Sequence, residues 1–145
     1  LQNRMDGYPR KRGLTRVDEM LDRGINVAIG HDSIMDPWYS MGKASMTLAA
    51  FLLFHMGHMN GAAQIQQLFD MITDNSAKAM CLDDYGIKEG NQADLIIFDA
   101  ATESDIIRLQ SECTHVIRKG KIICRTSPAE RKLLYDTPSY VDFKL

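Results

Sequence analysis

The stretch Ile25-Asn26-Val27-Ala28-Ile29-Gly30-His31-Asp32-Ser33-Ile34-Met35-Asp36-Pro37-Trp38-Tyr39 decides how the rest of the chain is read. Its opening, Ile25 to Gly30, is short, β-branched and bounded by Gly24 and Gly30, which is the pattern of a buried strand. Upstream, Thr15 is placed to N-cap a helix whose apolar stripe is Val17, Met20 and Leu21, and Gly24 stops that helix. A helix, a glycine and a strand joined by so short a connection form the αβ half of an α/β repeat. The strand runs out at His31-Asp32-Ser33. A loop holding Asp36-Pro37-Trp38-Tyr39 follows and closes at Gly42.

Beyond the loop, the residues from about Lys43 to Met59 are helical in pattern and mostly apolar, which predicts a largely buried helix. Asn60-Gly61 breaks it. A second helix is predicted from about Ala63 to Ile72, with Ile65, Leu68, Phe69 and Ile72 on one face. Asn75 or Asp74 is placed to cap a third, short helix ending near Leu82, and Asp83-Asp84 ahead of Tyr85-Gly86 reads as turn chemistry. The character then changes. Ala93 to Phe98 reads as a strand after Gly90, and Ser104 to Leu109 as a helical turn. His115-Val116-Ile117-Arg118 and Lys121-Ile122-Ile123-Cys124 flank Lys119-Gly120, a two-residue hairpin turn. Residues 1–13 read as loop, with Arg10-Lys11-Arg12 as a solvated basic turn. The tail after Pro128 is polar apart from Tyr135, Tyr140 and Phe143. The whole divides into α/β over 1–86 and mainly β over 87–145.

Composition narrows the function classes. A chain of 145 residues supports one ordinary domain or pieces of two. Hydrophobic residues at 45% and charged residues at 25% give the balance of a soluble globular protein. Seventeen basic against nineteen acidic side chains, a net charge of −2, argue against nucleic-acid binding through a broad basic surface. The longest apolar run, Leu48 to Phe54, is far short of the roughly 20 residues that span a bilayer, so no membrane partner is expected. Cys81, Cys113 and Cys124 are widely spaced, which suits a reducing compartment such as the cytoplasm and excludes a Cys-rich zinc module. The polar, basic start carries no visible secretory signal. It begins at Leu1 rather than Met, so a piece of a longer chain is expected.

Asp32 is the first candidate for chemistry, because ligands bind at the carboxyl ends of strands in α/β barrels and open α/β sheets. A carboxylate there is costly unless paired or coordinated, so it reads either as a metal ligand or general base, or as a cap in the following loop. Trp38, the only tryptophan, either walls a pocket and stacks on a flat ring or packs the loop. His31 either hydrogen-bonds across the site or is structural. Ser33 is either a polar contact or a turn residue. His55 and His58 share a helix face, but no acidic residue lies between them and packing explains them better than metal binding. No G-x-S-x-G, P-loop or G-x-G-x-x-G is present.

The string from Gly30 to Tyr39 closely resembles the last-strand motif of the cytosine deaminase branch of the amidohydrolase superfamily. Asp6-Gly7-Tyr8-Pro9-Arg10-Lys11-Arg12-Gly13 is similar to the loop before that family's last barrel helix. Asp84-Tyr85-Gly86-Ile87, with Gly90 to Ile97, resembles its return to a small β domain, and Val116 to Ile122 resembles the hairpin that follows. The resemblance implies the C-terminal portion of a metal-dependent (β/α)8 TIM barrel over 1–86. It implies part of a small β-sandwich domain, with the tail, over 87–145. It further implies one divalent metal ion, iron or zinc, that Asp32 touches while taking the proton from a bound water. His31, Ser33 and Trp38 would lie near the substrate. The implied reaction is hydrolytic deamination of a small amino-heterocycle, in a protein expected to be a homo-oligomer.

Two departures from the family pattern bear on this. The chain has no His-x-His and no Glu in the position of a proton shuttle, and a full barrel takes about 250 residues. The N-terminal part of the same enzyme is therefore the expected partner, supplying the remaining ligands, since one carboxylate does not hold a catalytic metal. Ser33 stands where the cytosine enzymes often carry a second acid. A hydroxyl accepts a ring N–H less strongly than a carboxylate does, which keeps isocytosine and creatinine-like cyclic amidines beside cytosine as substrates. The alternative from another class is a non-catalytic remnant or interaction module of the same fold. A small independent binding domain is the third reading.

Overall fold

The computed structural model describes residues 13–127 together with 7, 8, 129, 130, 132 and 134. The basic cluster Arg10-Lys11-Arg12 and the tail aromatics Tyr135, Tyr140 and Phe143 lie outside the described residues, as does most of the Asp6–Gly13 stretch.

The helices form where apolar residues recur with helical spacing. α1 spans Val17–Asp22, α2 Met46–Met56, α3 Ala62–Ile72 and α4 Asp74–Ala79. Ser45 caps α2 by accepting the Leu48 amide hydrogen at 3.2 Å. In α3 the Gln64 side chain reaches back to the Gly61 amide at 3.0 Å. The expected caps at Thr15 and at Asn75 or Asp74 are not made. Arg16 and Thr73 hold those N-cap positions without a side-chain cap bond. The Asn75 side chain instead bonds the Val27 carbonyl at 3.0 Å, a long-range contact that local pattern does not specify.

Beyond α4 the chain folds as β1 Leu95–Phe98, α5 Glu103–Arg108, β2 Cys113–Arg118 and β3 Lys121–Arg125. Thr102 caps α5 by accepting the Asp105 amide hydrogen at 3.2 Å. The strands make one antiparallel sheet in the order β1-β2-β3, pairing Leu95 with Ile117 and Ile117 with Ile122. Lys119 and Gly120 turn the hairpin with φ of 49° and 73°, the double positive φ of a type I′ turn. Asp94 accepts the Lys119 amide hydrogen at 2.6 Å and fastens that turn to the start of β1.

Val17, Val27, Ala50, Met59, Leu68, Met71 and Ile107 form the core, so it sits among the helices. No residue of the three strands is fully buried, and every residue of β3 is exposed. Gln110, just past α5, donates to the Thr47 carbonyl of α2 at 3.2 Å and ties that helix to the bundle.

Two expectations are corrected. The helix predicted over Lys43–Met59 is shorter, and α2 is half-buried rather than buried: only Ala50 is sealed, while Leu52 and Met56 stand exposed. α2 is apolar all round, so two neighbouring helices cannot cover its whole circumference. The predicted strand Ile25–Gly30 has no regular secondary structure and pairs with no strand among the described residues, and of its residues only Val27 is buried. A strand is defined by its neighbours. Here the segment is instead held by helices: Ile25 N–H donates to the Met20 carbonyl and Ile29 N–H to the Met71 carbonyl, each at 3.0 Å.

Candidate functional site

Position along the Ile25–Gly30 segment decides where the candidate residues stand. Val27 faces the core and the Met71 carbonyl holds Ile29, so the chain leaves the helical body at Gly30 and delivers His31-Asp32-Ser33 at its edge. His31 is half-buried, with its ring against Gly42, where an added Cβ would lie 3.6 Å from Cε1 and Nε2. Gly42 takes φ +104°, a conformation L residues rarely adopt. His31 therefore closes the neck of the loop. Asp32 is exposed and makes no hydrogen bond or ion pair with the described residues. Ser33 is half-buried.

The loop is braced from within by a residue the sequence reading passed over. Asp36 Oδ1 accepts the amide hydrogens of Trp38 and Tyr39, both at 2.9 Å. Backbone bonds between Asp36 and Tyr39, at 3.1 and 3.2 Å, run both ways, and Met35 N–H reaches the Met41 carbonyl at 3.4 Å. The Tyr39 amide, then the Trp38 amide, the Ser33 hydroxyl and the Ile34 amide hold the Asp36 carboxyl below its usual range, outweighing its partial desolvation. A signal was available: aspartate followed by proline is a turn-initiating pair, since Asp bonds its own backbone and Pro presets φ. Asn75, which fastens the segment carrying Asp32, has the local pattern of a helix cap, and nothing near it in the chain signals the bond to Val27.

Trp38 is 86% exposed, so no described residue packs over its ring. The structure thus gathers His31, Ser33 and the loop, and leaves Asp32 and Trp38 open to solvent. Among the described residues no three His, Cys, Asp or Glu side chains converge, so the residues present do not by themselves fit a divalent metal. Asp32 is available as one ligand of such a set. No helix among the described residues is long and apolar enough to cross a membrane.

The segment held by the helices thus ends at Gly30-His31-Asp32, with Asp32 exposed, and the Asp36-braced loop follows. A family model described as the amidohydrolase family matches residues 1–124, and the chain belongs to that family. It has an amidohydrolase-family fold of mixed helix and strand. The crystal structure of 5-methylcytosine deaminase from Klebsiella pneumoniae liganded with phosphonocytosine is similar over 92% of this chain, with 41% identity and a TM-score of 0.82. Pterin deaminase of Rhizobium rhizogenes strain K84 is 32% identical over 92% of the chain. N-isopropylammelide isopropyl amidohydrolase of Pseudomonas sp. strain ADP is 27% identical over 75% of it. The chain spans 33% of the length of the first, 30% of the second and 27% of the third.

Proposed function

We propose that this chain is the C-terminal part of a hydrolytic deaminase acting on a small amino-heterocycle, cytosine or a related pyrimidine. The observation that carries the reading is the match to 5-methylcytosine deaminase at 41% identity across 92% of the chain. Relatives named for 5-methylcytosine and pterin act on flat rings that bear an exocyclic amine. In the proposed reaction, water adds to the ring carbon that carries the amine, the carbon–nitrogen bond breaks, and ammonia leaves.

Asp32 is the proposed catalytic residue. Its exposed carboxylate accepts the proton that the water gives up. It is also the proposed ligand of one divalent metal, iron or zinc, whose other ligands come from the N-terminal part of the same enzyme. Trp38 is proposed to cover the ring, with Ser33 and His31 beside it. Ser33 in place of a carboxylate supports isocytosine or a creatinine-like cyclic amidine as alternative substrates.

On this reading residues 1–86 are the last strand and flanking helices of a (β/α)8 barrel. The part of the Ile25–Gly30 backbone that bonds no helix supports that: the Val27 and Ala28 amides have no partner among the described residues and are open to neighbouring strands, whereas Ile25, Ile29 and the Val27 carbonyl are already bonded. Residues 87–145 are the C-terminal part of a β-sandwich domain, which the exposed faces of the three-stranded sheet support. A cytoplasmic homo-oligomer completes the proposal. Three free cysteines support the reducing compartment.

The test is ammonia release from a panel of amino-pyrimidines and cyclic amidines, measured on the complete enzyme. Asp32→Asn should lower the rate at least about a hundredfold, the lower end of what positioned general bases contribute. Full activity in that variant would remove Asp32 from the chemistry.

A further inference from the structure

We propose that Asp36 is a positioning residue: by holding the Trp38 and Tyr39 amides it fixes where the Trp38 indole stands. What the indole then meets, a flat heterocycle, rests on the deaminase reading above.

A tryptophan ring is ordinarily placed by the side chains packed around it. Among the described residues nothing packs on Trp38, which is 86% exposed. Within them only its own backbone holds it, so whatever sets the backbone at 38 sets where the ring is anchored. Pro37 fixes its own φ. Asp36 then supplies the rest: one carboxylate oxygen takes both following amides at 2.9 Å, and the Asp36 and Tyr39 main chains bond each other at 3.1 and 3.2 Å. These bonds lie wholly inside the loop. The Met35 amide closes the neck of the loop on the Met41 carbonyl at 3.4 Å. The loop is therefore a preformed arm, and its shape does not wait for substrate. Preformation matters because ordering a loop on binding weakens affinity. A carboxylate suits the position better than an amide, since an ionised acceptor makes hydrogen bonds about twice as strong as a neutral one.

The experiment compares Asp36→Ala and Asp36→Asn with the parent. Trp38 is the single tryptophan of the chain, so time-resolved fluorescence anisotropy reads this one indole. Asp36→Ala should enlarge the fast local motion of the ring while circular dichroism stays unchanged, with Asp36→Asn between the two. In the complete enzyme, Asp36→Ala should raise KM for the amino-heterocycle about tenfold, the equivalent of one charge-assisted bond, with kcat within about threefold. Asp36→Asn should recover most of that. Unchanged anisotropy in Asp36→Ala overturns the proposal. So does a fall in kcat at constant KM, which would place Asp36 in the chemistry. If the parent enzyme releases no ammonia, the deaminase reading fails by itself, and the anisotropy still decides what Asp36 does.

Discussion

Asn75→Ala should loosen the segment that carries Asp32, though the two residues lie on different elements. The Asn75 amide donates to the Val27 carbonyl at 3.0 Å, and Val27 is a core residue. The reciprocal bond, from the Asn26 amide to the Asn75 main-chain carbonyl at 3.0 Å, survives the substitution. What is lost is one bond, and the Val27 carbonyl is left without a partner. An unsatisfied buried acceptor costs about 1–3 kcal/mol. Because this contact is part-buried and water can reach it, the lower end, about 1–1.5 kcal/mol, is expected. For a chain of this size that lowers Tm by about 3–6 °C.

Asn75→Asp sharpens the test. An acid in the first turn of α4 gains about 0.3–1 kcal/mol from the helix dipole. It also turns a donor into a carboxylate facing a carbonyl, so the loss outweighs the gain. Asn75→Asp should be no more stable than Asn75→Ala. Thermal unfolding followed by circular dichroism gives the order. Hydrogen exchange at the Ile29 amide, bonded to the Met71 carbonyl at 3.0 Å, reports the local loosening and should accelerate in both variants. A Tm within about 1 °C of the parent with unchanged Ile29 protection, or Asn75→Asp more stable than the parent, would refute the anchor.

The remaining expectations concern the core and the loop. Leu68→Ala, at a fully buried position in α3, should cost about 2–5 kcal/mol by denaturant unfolding, since the surrounding helices close the cavity only in part. Gly42→Ala should cost about 1–3 kcal/mol through its φ of +104° rather than through a clash, because the new Cβ would sit at an ordinary 3.6 Å from the His31 ring. The same loss measured in a His31→Ala background separates strain from crowding. The Asp36 carboxyl is held below its usual range by the Tyr39 amide foremost, so its bracing is complete above the ordinary carboxylate pKa and is lost only as pH falls through the lowered folded value. Trp38 anisotropy should therefore stay flat from neutrality to about pH 4 and fall only below it. Loosening at pH 6 would contradict the assigned brace.

Elements with a local signature were legible in the residues. α3 forms over Ala62–Ile72 as the apolar spacing predicted, with Leu68 sealed, Phe69 and Ile72 packed against the core and Ile65 half-buried. The Lys119-Gly120 turn and its two strands fall where the hairpin pattern put them. Asp36-Pro37 carried a turn signature that was there to be read. The caps expected at Thr15 and at Asn75 or Asp74 fall instead at Arg16 and Thr73, where no side-chain cap bond is made, and the Asn75 side chain bonds the Val27 carbonyl.

The sequence by itself determined the helices, the hairpin, the order in which they occur, and membership of the amidohydrolase family, through periodicity, turn chemistry and the Gly30–Tyr39 string. These depend on residues close together in the chain. Only the tertiary structure decided that Ile25–Gly30 has no strand neighbour among the described residues, that Asn75 anchors it, and that Trp38 stands exposed on a loop braced by Asp36. Strand pairing, side-chain partners and exposure depend on what approaches from far along the chain, and no local pattern carries that information.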